Sequence, residues 1–191
     1  MTDIPWGSDE AKAFITNVGL ITSTGALGDN IMAAEWTHHI SYSPGLIAVC
    51  ISKDNKGTAL NIHETKQFGV NIAAEDHTML ASIAGDSSGK NIDKIKVLEE
   101  VVYVFSKGKH IKAPMVEGAV LQVECKLVRE VTDLGSHTIF IGEALSVTHN
   151  KNKESLAFHR GKYYKMNETI PKPPEETREK ISKLVKKHQR I

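Results

Sequence analysis

The feature that most limits how this chain can fold is a strict alternation at residues 121–127, "LQVECKL". Leu121, Val123, Cys125 and Leu127 fall on one side of an extended segment, and Gln122, Glu124 and Lys126 on the other. A period of two is the signature of a strand with one buried and one wet face. The turn-rich "VTDLGSHT" follows, and then "IFIGEALSV" reads as the return strand. The two make one long hairpin over residues 120–148, with Gly142 marking a bend or bulge in the second arm.

Further short apolar runs read as strands: residues 18–22, 46–51, 68–73 and 101–105. The run 46–51, "LIAVCI", has almost no polar face and reads as buried on both sides. Helical signals are fewer. Residues 57–65 suit one short helix. Asp76 reads as the cap of a second, with Met79, Leu80, Ile83 and Ala84 as its apolar stripe. The clearest helix is last. Pro174 suits its first turn, Glu175 and Glu176 its positive end, and Lys186, Lys187 and His188 its negative end. Ile181, Leu184, Val185 and His188 form a narrow stripe that predicts packing on the domain or on a second subunit. "PKPP" before it is a stiff linker. Strands therefore dominate without regular strand–helix alternation. That argues against a doubly wound sheet and predicts a mainly β barrel with helices at its ends.

The length of 191 residues suits one domain with an appendage, and we expect a barrel domain at residues 1–170 and an appended helix at 171–191. With 24 basic against 23 acidic residues the net charge is +1, which argues against a nucleic-acid partner. The start "MTDIPWGSDE" has no signal-peptide pattern, and no apolar run is long enough to cross a bilayer, so a cytoplasmic protein with no membrane association is expected. Cys50 and Cys125 both lie in strand-like sequence and read as small buried hydrophobes.

Familiar catalytic signatures are missing: no G-x-S-x-G elbow, no phosphate-binding G-x-x-x-x-G-K-[ST] loop, no H-E-x-x-H helix. "GALGDN" at residues 25–30 reads as a hairpin turn. The nine histidines show no metal-ligand spacing, and no metal site is expected. Two loops do suit an anion. "SKDNKGT", residues 52–58, offers Ser52, Lys53, Lys56 and Thr58 before a helix start. "GDSSGKN", residues 85–91, offers Ser87, Ser88, Gly89 and Lys90. Between residues 30 and 37, "NIMAAEWT", Ala33 and Ala34 let a ligand approach the backbone, and Trp36 reads either as an aromatic cover or as an ordinary core residue.

Taken in order, "NIMAAEWTHHISYSPGLIAVCISKDNKGT", "FGVNI", "SSGKNIDK", "APMVEGAVLQVECKLV", "LGSHTIFIGEAL" and "HRGKYYKM" resemble the flavin reductase-like, FMN-binding split-barrel family, flavoredoxins included. The resemblance implies a Greek-key split β-barrel of about six strands with a few peripheral helices, in a homodimer holding one FMN per subunit near the interface. It implies an NAD(P)H-dependent FMN oxidoreductase, passing electrons through FMN to a flavin, protein or metal acceptor. The alternative is a non-catalytic FMN-binding electron carrier served by a redox partner such as a ferredoxin. By position, Asn30, Met32, Ala33, Ala34, Glu35, Trp36 and Thr37 would line the isoalloxazine and ribityl chain. Cys50, Ile51, Ser52, Lys53 and Thr58 would supply ribityl and phosphate contacts, and Ser88, Gly89 and Lys90 would close over the phosphate. His137, with His159 and Tyr164, would border the nicotinamide or substrate side, and His137 is the candidate catalytic residue. Redox chemistry on a cofactor asks for no acid–base pair in the sequence.

Overall fold

The computed structural model describes residues 2–54, 57–166 and 168–188. Seven strands build its main sheet: β2 (Gly19–Ser23), β3 (Asn30–Ala34), β4 (Thr37–Tyr42), β5 (Gly45–Ser52), β6 (Gln67–Ile72), β9 (Leu121–Val131) and β10 (His137–His149). Their order is β3-β2-β6-β9-β10-β5-β4, every pair antiparallel. β3 and β4 are thus the two edges of the sheet, yet only Glu35 and Trp36 separate them in sequence. A flat sheet of this width would hold its edges roughly 29 Å apart. Three peptide links reach at most about 11 Å. The sheet must therefore curl until its edges meet, which makes it the expected split barrel, with seven strands rather than six.

The meeting point is tightly made. The Thr37 hydroxyl donates to the Ala34 carbonyl at 3.0 Å, and the Cys50 amide donates to the Trp36 carbonyl at 2.9 Å. The Asn17 side-chain amide, on the short strand β1 (Thr16–Asn17), donates to the Thr37 carbonyl at 2.6 Å. Gly19 leaves the room: a Cβ there would come within 2.2 Å of Thr37 Oγ1.

Curling divides the core in two. Ile21, Val49, Ile51, Phe68, Val70, Val123, Cys125 and Phe140 fill the barrel interior, with Ile62 from helix α1 (Gly57–Thr65) plugging it. Leu20, Ile31, Leu156 and Val116 lie on the outside, beneath α2 (Thr78–Asp86) and α3 (Lys94–Val101), which contribute Leu80, Ala81, Ala84, Ile95 and Leu98. β2 is buried on both faces for this reason. β5, read as buried on both sides, is not. Ile47, Val49 and Ile51 point inward, whereas Leu46, Ala48, Cys50 and Ser52 are half-buried on the outer face.

The alternation of β9 holds with one exception. Glu124, expected on the wet face, is buried. It accepts from the His110 amide at 2.6 Å, the Ile111 amide at 3.0 Å and the Ser146 hydroxyl at 2.8 Å, which fixes the loop leading to β8 (Pro114–Val116). In β10 the pairing register with β9 shifts at Gly142, the expected bulge. Of the expected strand 101–105 only Phe105 is in a strand. Asp93 caps α3 by accepting from the Lys96 amide, Ile95 and Leu98 bury its inner face, and the helix takes Val101; Val102 ends it with φ 111°, and β7 (Phe105–Lys107) starts only afterwards. α2 starts one residue past His77 with no side-chain cap. Asp76 instead pairs with Lys153, and Met79 faces solvent while Ala81 is buried.

β1, β11 (Leu156–His159) and β12 (Lys162–Lys165) form a separate three-stranded sheet. The last helix, α4 (Glu175–Lys187), buries none of its residues, and Ile181, Leu184 and Val185 are exposed, so it does not pack on its own barrel. No described helix is long and apolar enough to cross a membrane.

Two outcomes test this account. Gly19→Ala should destabilise the fold by at least about 1–3 kcal/mol, the cost of overpacking a closed site, read as a lower urea midpoint. Burial works against the Glu124 charge, but the His110, Ser146 and neighbouring backbone hydrogen bonds outweigh it and hold the carboxyl below its ordinary 4.5. A depressed folded pKa gives stability that is complete above the unfolded value and lost as pH falls through the folded one. Glu124→Gln should therefore cost about 1–3 kcal/mol at neutral pH and flatten the loss of stability below pH 4.5, measured by urea unfolding across pH.

Candidate flavin site

Where the sheet edges meet, a pocket of about 630 Å³ opens on the outer side of β3 and β5. That volume lies in the range of small-molecule sites. One wall is β3 and the corner after it, Met32, Ala33, Ala34, Glu35 and Trp36, with Ala33 on the outward face and Met32 and Ala34 packed toward the barrel interior. The small side chain of Ala33 leaves the outer strand surface low. At the corner, Trp36 lies 4.6 Å from the His137 ring, centroid to centroid, at 42°. His137 opens β10, and its Nδ1 is 2.8 Å from the Ser136 hydroxyl. Burial lowers the His137 pKa against the opposing pull of Asp54, so the ring is neutral at physiological pH. Burial pushes the Glu35 carboxyl up.

The other end of the pocket is polar and crowded. Asn30 Nδ2 donates to Thr58 Oγ1 at 2.9 Å, which leaves the Thr58 proton to be given elsewhere. Asn30 itself is buried, and its Oδ1 has no hydrogen-bond partner among the described residues. Gly57 and Thr58 begin α1, so this wall carries a helix N-terminus. Facing it, the loop after α2 brings Ser87, Ser88 and Gly89. Gly89 is required there, since a Cβ would sit 2.1 Å from Asn30 Oδ1. Behind the loop, the buried Lys94 ammonium donates to the Ala84 carbonyl at 3.0 Å and the Ser87 carbonyl at 3.2 Å, both at the C-terminal end of α2.

Most of the residues expected from sequence meet in this pocket: Asn30, Met32, Ala33, Ala34, Glu35, Trp36, Cys50, Ser52, Thr58, Ser88, Gly89 and His137. Five others do not line it. Thr37 is buried in the closure contacts, and the Ile51 side chain points into the barrel. Lys53 turns away to donate to the Gly135 carbonyl at 2.7 Å. The Lys90 backbone caps its own turn on Ser88 at 3.4 Å, outside the cavity wall. Tyr164 sits on β12, 44% exposed, beside His159, whose Nδ1 lies 3.4 Å from the Phe14 carbonyl. Lys56 lies outside the described residues. Cys50 faces the pocket, and burial pushes its thiol up, so it is neutral there. Cys125, inside the barrel, is pushed up to about 12 by burial and then by Glu124.

Sequence reasoning missed Lys94, Ser136 and the arm of Ile4, Trp6, Ala11 and Phe14. Lys94 ends the motif "SSGKNIDK" but carries no role in the sequence reading. The available signal was its place one residue after the capping Asp93, where a short loop must fold back over the helix start.

The residues match the flavin reductase like domain family from 11 to 167. The chain belongs to that family. Its function is of the NAD(P)H-dependent flavin reductase type. It is 32% identical over 120 residues to an uncharacterised protein of Archaeoglobus fulgidus, covering 63% of this chain and 65% of that one. It is 28% identical over 155 residues to an NADH-dependent FAD reductase of Streptomyces globisporus, covering 78% and 79%. Among solved structures, the flavoredoxin of Desulfovibrio vulgaris (Miyazaki F) superposes with a TM-score of 0.74 at 25% identity, covering 92% of this chain and all of that one.

The pocket fits a flavin. The low strand wall with Trp36 suits a flat ring. The unpartnered Asn30 acceptor suits a hydroxyl of a polyol chain. The Thr58 hydroxyl, Ser88, the α1 N-terminus and the Lys94 charge suit a phosphate.

Proposed function

We propose that this chain is an FMN-binding oxidoreductase that takes electrons from NAD(P)H and passes them to a flavin, protein or metal acceptor. The observation that carries the proposal is the polarity of this pocket. A low, apolar strand wall with an aromatic corner occupies one end. At the other, the α1 N-terminus, the Ser87–Ser88–Gly89 loop and Lys94 converge. One compact anion-binding end favours a terminal phosphate, hence FMN over FAD.

In this reading the ring lies along Met32, Ala33, Ala34 and Glu35, capped by Trp36. The ribityl chain runs past Asn30, Cys50 and Ser52, and the phosphate is held by Thr58, Ser88, Gly89 and Lys94. When bound, the flavin supplies the hydride and electron chemistry. The chain holds the rest of the site. His137, neutral and steadied by Ser136 and Trp36, borders the reacting end and can hold or pass one proton at its ring nitrogen. Cys50, as a neutral thiol, adds no charge beside the ring. A homodimer belongs to the same proposal, with the exposed Ile181, Leu184 and Val185 of the appended helix as a dimer element. A protein redox partner such as a ferredoxin is the acceptor or donor to test.

Purified protein should be yellow and should bleach anaerobically with NADH or NADPH. Bleaching only by a reduced partner protein would make it an electron carrier. Protein that stays colourless and ignores added FMN would refute both. Thr58→Val should weaken FMN by roughly 10- to 100-fold, the value of a hydrogen bond to a charged group, measured by flavin release on ultrafiltration. Unchanged affinity would move the phosphate elsewhere.

A further inference from the structure

The chain has two tryptophans, and both line the same pocket. Trp36 comes from the β3–β4 corner. Trp6 comes from the segment before β1, which contributes Ile4, Ala11 and Phe14 to the same wall. Trp6 is 99% exposed, so among the described residues nothing covers the indole. Nor is it carried on a loose tail. The Ser8 amide donates to the Pro5 carbonyl at 3.1 Å, the Lys12 amide to the Ser8 carbonyl at 3.0 Å, and the Ala11 amide to the Ser8 hydroxyl at 3.2 Å. A 3₁₀ turn at Ala11–Ala13 follows. β1 then fixes the arm by pairing Thr16 with Phe158 and Asn17 with Ala157 on β11. A folded arm thus holds a large, flat, solvated ring at the edge of a cavity whose opposite needs are a flat ring's. Residues 4–6 also precede the part of the chain that matches the family, which begins at residue 11.

We propose that Trp6 is a ligand-stacking residue: its indole covers the flavin ring system bound in this pocket and supplies a second aromatic wall beside Trp36. The assignment rests on the flavin reading above. Stacking on a heteroaromatic ring returns an indole from water to an apolar contact and adds the attraction of offset π faces. Ile4 and Phe14, exposed on the same arm, border the covered ring and keep water from its edge.

The test uses the full chain. In Trp36→Phe, Trp6 is the one remaining tryptophan and its emission reports the arm alone. Without FMN it should be open to acrylamide quenching at all protein concentrations. With saturating FMN it should become shielded. Trp6→Ala should weaken FMN on the order of tenfold, and Trp6→Phe should recover most of the loss. Full-affinity FMN binding by Trp6→Ala, with Trp6 equally quenchable with and without FMN, overturns the stacking role and leaves the flavin reading intact. Shielding of Trp6 that rises with protein concentration in the absence of FMN assigns the indole to a second copy and also overturns it. Failure of the unaltered chain to bind FMN overturns both.

Discussion

Two residues set the shape of this molecule. Glu35 and Trp36 must carry the chain from one edge of a seven-stranded sheet to the other. No flat arrangement allows that, so the sheet closes on itself at this point. The contacts that make closure possible, Thr37 on Ala34 and Cys50 on Trp36, lie behind the wall of the pocket. The outer side of the seam is therefore a concave surface of strand backbone with small side chains. The pocket is a by-product of closing the barrel, and one of its walls is the seam itself.

The same economy governs the polar end. Asn30 begins β3, Thr58 begins α1 and Gly89 lies in the loop after α2, and each is fixed by its own element. Their side chains and amides meet because the barrel seam brings β3 beside α1 while α2 packs over the outer face. Lys94 sits behind this cluster at the C-terminal carbonyls of α2. It favours the helix end electrostatically and places a positive charge beneath the loop that faces Asn30. The same ammonium group thus ties the end of α2 to the loop after it.

Local pattern revealed the elements whose cause is local. The 57–65 helix and the 120–148 hairpin, with its bulge at Gly142, follow from spacing and turn chemistry that neighbouring residues decide. The run "VVYVF" misled because branched residues favour a strand only when a partner strand exists. Asp93 had already started a helix whose Ile95 and Leu98 found a buried face, and tertiary packing extended it through Val101. Glu124 deceived for a related reason: alternation assigns a side to a side chain, but cannot show that a loop will cover that side and supply two amide donors, with Ser146 of β10 as a third.

The site divides along the same line. Residues near the seam were legible because small and polar side chains interrupt an otherwise apolar strand, and such an interruption needs a reason. Lys53 and Lys90 drew notice because charge in a glycine-rich loop suggests an anion, yet an exposed lysine is well served by water or a nearby carbonyl, as Lys53 is by Gly135. The lysine that matters to the pocket is the one buried beneath it. Burial of a charge is costly without compensation, so a buried ammonium marks a place where the fold has arranged acceptors and can extend that arrangement to an anion. A sequence shows where lysines stand; only the fold shows which of them has been taken out of water.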